Sequence, residues 1–151
     1  TYGVWPSQGD PVAPQLRPVL RWETKVRLIR TLKPGATIGY GNTFTARTTI
    51  RVALLPCGYA DGYMHALGNR AEVLIRGQRC RVRGAVSMDQ ILVDVSHVPD
   101  VAVDDTAVLI GQAGGERITA EELAVRADTI PYEILTRIGP RVERVYAPHG
   151  S

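Results

Sequence analysis

Stretches in which apolar and polar residues alternate constrain the fold of this chain more than any other feature. In the stretch VLRWETKVRLIRTL, residues 19–32, Leu20 and Trp22 and then Val26 and Leu28 stand at alternating positions. Alternation with a period of two is typical of a strand that buries one face. The stretch therefore predicts one long, half-buried strand, which ends where Lys-Pro-Gly interrupts the pattern.

Further strand-like runs follow, and no helical period appears before Gly115. Gly77 and Gln78 stand between two β-favouring runs, where a hairpin turn is expected. The tail RVERVY alternates again and is expected to return to the sheet. Many short strands with few helices predict a mainly β fold of the barrel or sandwich type. The predicted strands lie in TTIRVALLP, AEVLIRGQRCRVRG, QILVDV and DTAVLIG.

Two short helices are predicted near the C-terminus. The first begins with Thr119, followed three residues later by Glu122, which is the spacing of a capping box. In the second, Thr129 is the expected cap, Pro131 lies in the first turn and Gly139–Pro140 ends the helix. The predicted fold class is therefore mainly β, barrel-like, with two short helices at its end.

Composition favours one soluble domain. The chain has 151 residues, and its 18 basic and 15 acidic residues are interspersed, so a formal charge of +3 does not indicate a nucleic-acid partner. Cys57 and Cys80 lack a CxxC spacing, which favours reduced thiols in a cytoplasmic protein and indicates no metal site. No apolar run approaches the roughly 18 residues of a membrane helix, so no membrane partner is expected. Residues 1–18 contain four prolines and two glycines and predict an arm or linker.

Three loop sequences are candidates for a functional site. Tyr40 lies between two glycines after a predicted strand, GYADGY at 58–63 combines an Asp-Gly turn with two tyrosines, and SMDQ at 87–90 places an acidic residue in an apolar strand. Each also has a structural interpretation. A loop tyrosine is most often a packed ring, an Asp-Gly sequence is most often only a turn, and Asp89 is most often a solvated edge residue.

Taken together and in order, these sequences resemble the C-terminal domain of alanine racemases, bacterial enzymes that depend on pyridoxal phosphate and belong to fold type III. The resemblance covers Tyr2 to Tyr146. It implies that residues 1–18 lead from an N-terminal (β/α)8 barrel and that 19–151 form the C-terminal β-domain. The motifs that carry it are YGVWPS, GYGNTF, GYADGY, ALGNRAEVLIRGQ, SMDQ and TIPYEILTRIGPRVERVY.

The resemblance implies a head-to-tail homodimer. In this family the barrel carries pyridoxal phosphate, and the barrel of one subunit meets the β-domain of the other at a shared active site. The small amino-acid substrate is alanine, whose D form is a precursor of cell-wall peptidoglycan. The partners implied for this chain are therefore the N-terminal barrel of its own subunit and that of a second subunit.

The resemblance also implies roles for five residues. Tyr40 matches the second catalytic base. The backbone N–H of Met88 matches the group that binds the substrate carboxylate. Tyr59 lines the entrance corridor, and Asp89 lies beside it. Tyr132 matches the tyrosine near the cofactor phosphate.

Racemisation gives a reason to hold a tyrosine on a tight loop. The α-proton leaves one face of the substrate and returns to the other, so two bases are needed on opposite faces. In this family one base is the cofactor lysine and the other is the tyrosine. A free phenol with a pKa of about 10 is a poor base at neutral pH, so positively charged neighbours must assist it. The resemblance places those neighbours in the barrel.

This chain has few candidates for the cofactor lysine. Lys25 lies in a predicted strand and Lys33 in a predicted turn, and both are expected to be solvated. No glycine-rich phosphate cup is apparent. The isolated chain is therefore predicted to be inactive. Turnover by the purified chain with added pyridoxal phosphate would contradict this.

The chain departs from the family pattern at three positions. His65 and Ala85 stand where many members have arginine, and Ser87 stands where many have cysteine. One interpretation is a less charged corridor that admits larger amino acids, although His65 also fits an ordinary surface residue. Cys57 is expected to be a small buried apolar side chain. Two further interpretations stay open: a β module retained for assembly without catalysis, and a fragment that functions only in a complex.

Overall fold

The computed structural model describes residues 19–39 and 41–148, so the predicted arm at 1–18 lies outside the described residues. Single turns of 3-10 helix lie at Tyr59–Asp61 and His65–Leu67 and were not predicted. The strands and helices are β1 (Trp22–Lys25), β2 (Leu28–Leu32), β3 (Thr37–Ile38), β4 (Phe44–Thr45), β5 (Ile50–Leu55), β6 (Glu72–Ile75), β7 (Gln78–Arg83), β8 (Ile91–Asp94), β9 (Thr106–Ala113), β10 (Glu116–Ile118), α1 (Ala120–Ala127) and α2 (Pro131–Thr136).

Eight of the strands form one antiparallel sheet, in the order β1-β9-β6-β7-β8-β5-β2, with β10 paired to β9. The prediction of a mainly β fold with two short helices near the C-terminus is confirmed. Since β1 and β2 stand at opposite ends of the order, the sheet is open over the described residues. The barrel-like part of the prediction is not confirmed.

The predicted long first strand is two strands, and that prediction is wrong. β1 pairs with β9, whereas β2 pairs with β5. The change occurs at Val26 and Arg27, whose N–H groups donate to the carbonyls of Asp105 and Leu54, both at 2.9 Å. The alternation of apolar and polar residues continues from β1 into β2, because Val26 is fully buried at the point where the chain leaves β9 and begins to pair with β5.

The β6–β7 hairpin is confirmed, but its turn lies one residue earlier than predicted. Ile75 pairs with Gln78, which leaves Arg76 and Gly77 as the two turn residues. Both adopt left-handed backbone, with φ of 51° and 73°. Two left-handed residues are what a tight hairpin turn requires. The prediction was displaced because an arginine is an uncommon occupant of such a position.

A single apolar core joins the sheet to α1. Leu123 and Ala124 of α1 are buried among side chains from β1 and from β5 to β9. The rings of Trp22 and Tyr63 meet edge to face, with centroids 6.0 Å apart. Each large apolar side chain buried in this way contributes about 1.5–3 kcal/mol. The core therefore fixes the platform from which the loops of the candidate site project.

The caps of the two helices differ. The Thr119 hydroxyl accepts from the N–H of Glu122 at 3.0 Å, so the predicted cap of α1 is confirmed. The prediction that Thr129 caps α2 is wrong, because the cap is Ile130 and the Thr129 hydroxyl donates to the carboxylate of Glu133. In the described ranges, no helix is both long enough and apolar enough to span a bilayer.

The tail at 141–146 does not return to the sheet, and that prediction is wrong. The guanidinium of Arg144 donates to three carbonyls just beyond α2, which holds the tail against the end of that helix. Of the three apolar residues that suggested a strand, Val145 is 81% and Tyr146 89% exposed, whereas Val142 packs against the core. The carbonyls belong to Ile138, Gly139 and Val142.

Candidate functional site

Four of the five predicted site residues lie on the described surface. Tyr59 is 49% exposed, Met88 56% and Tyr132 41%, and Asp89 is also exposed. Tyr40, the predicted base, lies outside the described residues, although both of its glycine neighbours are described. The structure therefore places the surroundings of Tyr40 and leaves its role a prediction.

The turns that carry Tyr59 and Met88 interlock through their backbones. The N–H of Tyr59 donates to the carbonyl of Ser87 at 3.0 Å, and the N–H of Ala60 donates to the carbonyl of Met88 at 2.8 Å. Gly58 permits this approach, because a Cβ there would lie 2.2 Å from the Ser87 oxygen. The spacing between Tyr59 and Met88 is therefore set by main-chain contacts.

SMDQ forms a turn, so the prediction that Asp89 lies within a strand is wrong. The N–H of Ser87 donates to the carbonyl of Gln90 at 3.1 Å, and β8 begins only at Ile91. The turn leaves both Met88 and Asp89 exposed. A turn next to a strand is easily taken for part of it when the pattern alone is considered.

Asp61 shapes the turn that carries Tyr59. It is only 8% exposed, and its Oδ2 accepts from the N–H of Gly58 at 2.9 Å. Its Oδ1 lies 3.4 Å from Nε of Arg141. The buried carboxylate thus closes the turn on itself, as an acidic residue does three positions after a cap. The sequence indicated Asp61 only as a turn former.

The same turn contacts the C-terminal end of α2. Gly62 has a φ of +105°, and a Cβ there would lie 2.1 Å from the carbonyl oxygen of Arg137. The carbonyl that precedes Gly62 accepts from the N–H of Gly139 at 3.0 Å. Tyr132 lies at the other end of α2. Among the described contacts, none joins its side chain to Tyr59 or Met88.

The third motif packs on the segment that leads into SMDQ. Gly39, which precedes Tyr40, has a φ of +85°, and a Cβ there would lie 2.7 Å from the backbone nitrogen of Ala85 and 3.2 Å from Cα of Gly84. Segment 84–90 therefore touches Gly39 at one end and the Tyr59 turn at the other. All three sequence motifs meet on this one segment.

The predicted entrance residue Tyr59 borders an open pocket of about 400 Å³, lined also by Gly62, Met64, His65 and Arg137. The rings of Tyr59 and His65 lie with their centroids 6.4 Å apart and are tilted by 60° to each other. His65 thus contacts the predicted corridor while lying on the surface. The suggestion that the corridor admits larger amino acids stays a prediction.

The residues present do not by themselves form a pyridoxal phosphate site. Nζ of Lys25 donates to the hydroxyl of Thr106 at 2.8 Å on the exposed edge of β1, and Lys33 lies exposed before a turn. Neither lysine lines the pocket beside Tyr59. Tyr132 is exposed as a residue, and its predicted contact with the cofactor phosphate stays a prediction. Within the described ranges, no group of three or more His, Cys, Asp or Glu side chains could hold a metal ion.

Cys57 lies below the Tyr59 turn and is 3% exposed, which confirms the prediction of a small buried side chain. Burial, followed by the charge of Asp61, raises its pKa to about 12. A thiol with so high a pKa remains protonated and is a poor nucleophile.

Asn69 is a site residue that the sequence did not indicate. Its Oδ1 accepts from the N–H of Gly84 at 2.7 Å, and its Nδ2 donates to the carbonyl of Thr43 at 3.1 Å. It therefore links segment 84–90 to the far side of the Tyr40 loop. A left-handed φ of 58° suits asparagine, but the sequence gives no sign of the two partners.

Comparison with known proteins agrees with the resemblance. Residues 19–146 match the family described as alanine racemase, C-terminal domain. The alanine racemase of Symbiobacterium thermophilum is 51% identical over 144 residues, which are 95% of this chain and 38% of that protein. The structure resembles that of alanine racemase from Bacillus anthracis with bound L-Ala-P, with a TM-score of 0.89 and 36% identity over 99% of this chain and 39% of that one.

A second solved structure is similar over almost as much of the chain. Alanine racemase from Bartonella henselae, with covalently bound pyridoxal phosphate, has a TM-score of 0.86 and 33% identity over 97% of this chain and 39% of that one. The chain thus spans 38% of the length of curated relatives such as the Symbiobacterium enzyme, and their names identify an isomerase. By family match, relatives and structure alike, the chain belongs to the alanine racemase family, as its C-terminal domain.

Proposed function

We propose that this chain is the C-terminal domain of a full-length alanine racemase, which interconverts L- and D-alanine with pyridoxal phosphate. The observation that carries the proposal is the convergence of all three motifs on segment 84–90 in a chain 51% identical to an alanine racemase. The relatives solved with L-Ala-P and with covalently bound pyridoxal phosphate support the substrate and the cofactor.

Tyr40 acts as the base on one face of the substrate. When bound, pyridoxal phosphate stabilises the negative charge that develops at the α-carbon. Tyr40 removes the α-proton there, or returns it, and a lysine of the N-terminal barrel acts on the other face. Gly39, packed against Ala85, supports this assignment because it anchors the loop beside the Met88 turn.

Met88 binds the substrate carboxylate through its backbone N–H. Its carbonyl is occupied by Ala60, whereas its N–H has no hydrogen-bond partner among the described residues. An unpaired amide in a turn fixed by Gly58 is suited to a carboxylate, since hydrogen bonds to charged acceptors are the stronger ones. Tyr59 and Asp89 border the entrance, and the hydroxyl of Tyr132 binds the cofactor phosphate.

The active site is completed by the N-terminal barrel of a second subunit in a homodimer. Exposed apolar side chains at Tyr59, Met88, Ile130 and Tyr132 support this, because an interface would cover them. The two free, buried cysteines, Cys57 and Cys80, favour a cytoplasmic location.

Subunit complementation tests the shared site. Two full-length variants are prepared, one with Tyr40→Phe and one without the barrel lysine, and each is expected to be nearly inactive. Mixing them equally with exchange of subunits should restore about a quarter of the activity, because half of the dimers are hybrids and each hybrid has one intact site of two.

Three outcomes would contradict parts of the proposal. Hybrid dimers that form and stay inactive would place Tyr40 and the lysine in the same subunit's site. Racemisation by the 151-residue chain with pyridoxal phosphate alone would show that no barrel is required. An active barrel that does not need this chain would leave the chain as an assembly module, the alternative that the sequence leaves open.

A further inference from the structure

The hairpin β3–β4, which flanks the Tyr40 loop, is too small to hold itself in place. Its strands have two residues each, pair as Thr37 with Thr45 and Ile38 with Phe44, and form a sheet separate from the large one. Two more main-chain hydrogen bonds, both 2.8 Å long, join Ala46 to Gly35 and Ala36 at the open end of the hairpin. Isolated two-stranded hairpins are marginally stable at best. Contacts from outside the hairpin must therefore fix the loop that it presents.

Asn69 provides the first of these contacts. Its side-chain amide bonds the carbonyl of Thr43, just before β4, and the N–H of Gly84, at the end of β7. One side chain thus ties the hairpin to the segment that leads to Met88. Gly39 packs on the same segment from the other end of the loop.

Arg83 provides the second contact. Its guanidinium carbon lies 4.8 Å from the centroid of the Phe44 ring, within the range of a cation–π interaction. Nη2 of Arg83 also lies 3.4 Å from Oδ2 of Asp94 on β8. Burial alone would raise the pKa of Asp94, but hydrogen bonds from Ser96, together with Arg83, hold it below its ordinary value. Asp94 is therefore charged at neutral pH and anchors the arginine.

The stability of the domain alone does not account for Arg83. Its Nε is buried and has no hydrogen-bond partner among the described residues. An unpaired buried donor costs free energy. An apolar side chain would pack on Phe44 without that cost, but it would not pair with Asp94, so the arginine is needed to tie the Phe44 ring to β8.

We propose that Asn69 and the Arg83–Phe44 pair form a clamp that positions the Tyr40 loop for proton transfer. The inference rests on the proposed function, since it assigns the loop a base to position. These are positioning residues, because they act through Tyr40 and touch neither substrate nor cofactor.

Two substitutions in the full-length racemase loosen the clamp at separate points. Asn69→Asp keeps an oxygen that accepts from the N–H of Gly84, but removes the N–H that donates to the carbonyl of Thr43. Aspartate, like asparagine, tolerates left-handed backbone. Phe44→Leu removes the ring and leaves the Arg83–Asp94 pair. Asp104→Asn is the matched control, because it is the reverse swap at another left-handed position, with φ of 73°, in the turn before β9.

Three measurements separate positioning from general destabilisation. Hydrogen exchange of the backbone amides in 41–45 should become faster in both clamp variants and unchanged in the control. The value of kcat should fall by about tenfold with little change in KM, because a displaced base affects the chemical step more than binding. In deuterated water, exchange of the α-hydrogen should outpace racemisation for one enantiomer, since the lysine still acts on its own face.

The outcomes distinguish this inference from the proposed function when Tyr40→Phe is assayed alongside. If Tyr40→Phe is slow while both clamp variants keep the wild-type kcat and amide protection, the clamp is wrong and the proposed function stands. If Tyr40→Phe keeps its rate, the base assignment fails and so does a clamp that serves it. The two clamp variants alter separate contacts. If one of them fails to fold, the other therefore still tests the clamp.

Discussion

The cluster of carboxylates around Arg79 and the paired turns of Tyr59 and Met88 are held by different means. Arg79 on β7 donates to Glu72 at 2.9 Å, to Glu116 at 2.8 Å and to Glu122 of α1 at 2.6 Å, so four side chains join the sheet to a helix. Between the Tyr59 and Met88 turns, by contrast, main chain bonds to main chain where Gly58 permits a close approach, and the side chains of Tyr59 and Met88 are exposed.

The difference lies in which chemical groups make the contacts within each region. In the Arg79 cluster the charged side chains bond to one another. Between the Tyr59 and Met88 turns the backbone supplies most of the contacts, which leaves the Tyr59 ring and the Met88 side chain exposed. Substitutions at the site glycines should therefore damage activity and fold together, whereas substitutions in the cluster should damage stability alone.

The largest effect is expected from Gly58→Ala. A Cβ 2.2 Å from the Ser87 oxygen forces the two turns apart, at a cost of about 3 kcal/mol as in severe overpacking. Both the free energy of unfolding and the racemase rate of the full-length enzyme should fall. Gly115→Ala is the control, because nothing lies within 4 Å of a Cβ there. Equal stability and activity of the two variants would contradict the interlocked turns.

Arg79→Met tests the Arg79 cluster in the same way. Removing the guanidinium leaves three carboxylates facing one another, and we expect a loss of about 2 kcal/mol, partly screened by salt. Chemical denaturation measures the loss, and kcat should not change. Arg21→Met, which removes an exposed pair with Glu23 at 2.7 Å, should cost less than about 1 kcal/mol. A drop in kcat for Arg79→Met at full folding would show that the two regions are coupled.

The smallest effect concerns the pH dependence of an exposed pair. The hydrogen bond from Arg76 holds the pKa of Asp105 below its ordinary value. The stabilisation is therefore present above the unfolded pKa of about 4 and disappears as the pH falls through the lower folded pKa. The difference in unfolding free energy between wild type and Arg76→Met should be largest near neutral pH and shrink in acid.

Denaturation at several pH values measures that difference. Arg27→Met, which removes a longer contact of 3.4 Å to Asp104, serves as the control and should matter less at neutral pH. A difference for Arg76→Met that grows in acid would contradict the assigned role of Asp105.

Local pattern predicted most of the strands and one helix cap, because each depends on neighbours in sequence. β5, β8 and β9 follow from apolar runs, and the Thr119 cap follows from its spacing to Glu122. The errors arose where a residue far away in the sequence determines the local structure. Val26 ends β1 because the pairing changes from β9 to β5, and no local signal marks that change.

The sequence motifs predicted which residues belong to the candidate site, but not how those residues are arranged in space. The sequence singled out Tyr59, Met88 and Asp89, but their proximity depends on Gly58 meeting Ser87 across a long separation in the chain. Asn69 was missed for the same reason, since its two partners lie in different elements. Tyr132 was named from the resemblance, and its role stays a proposal.

The central claim is that Tyr40 is a catalytic base, and Tyr40→Phe in the full-length racemase tests it most directly. We predict that kcat for L-alanine falls by about 100-fold or more, the range expected for loss of a general base, while the dimer and its cofactor absorbance are retained. A variant that assembles, binds pyridoxal phosphate and racemises alanine at the wild-type rate would contradict the account.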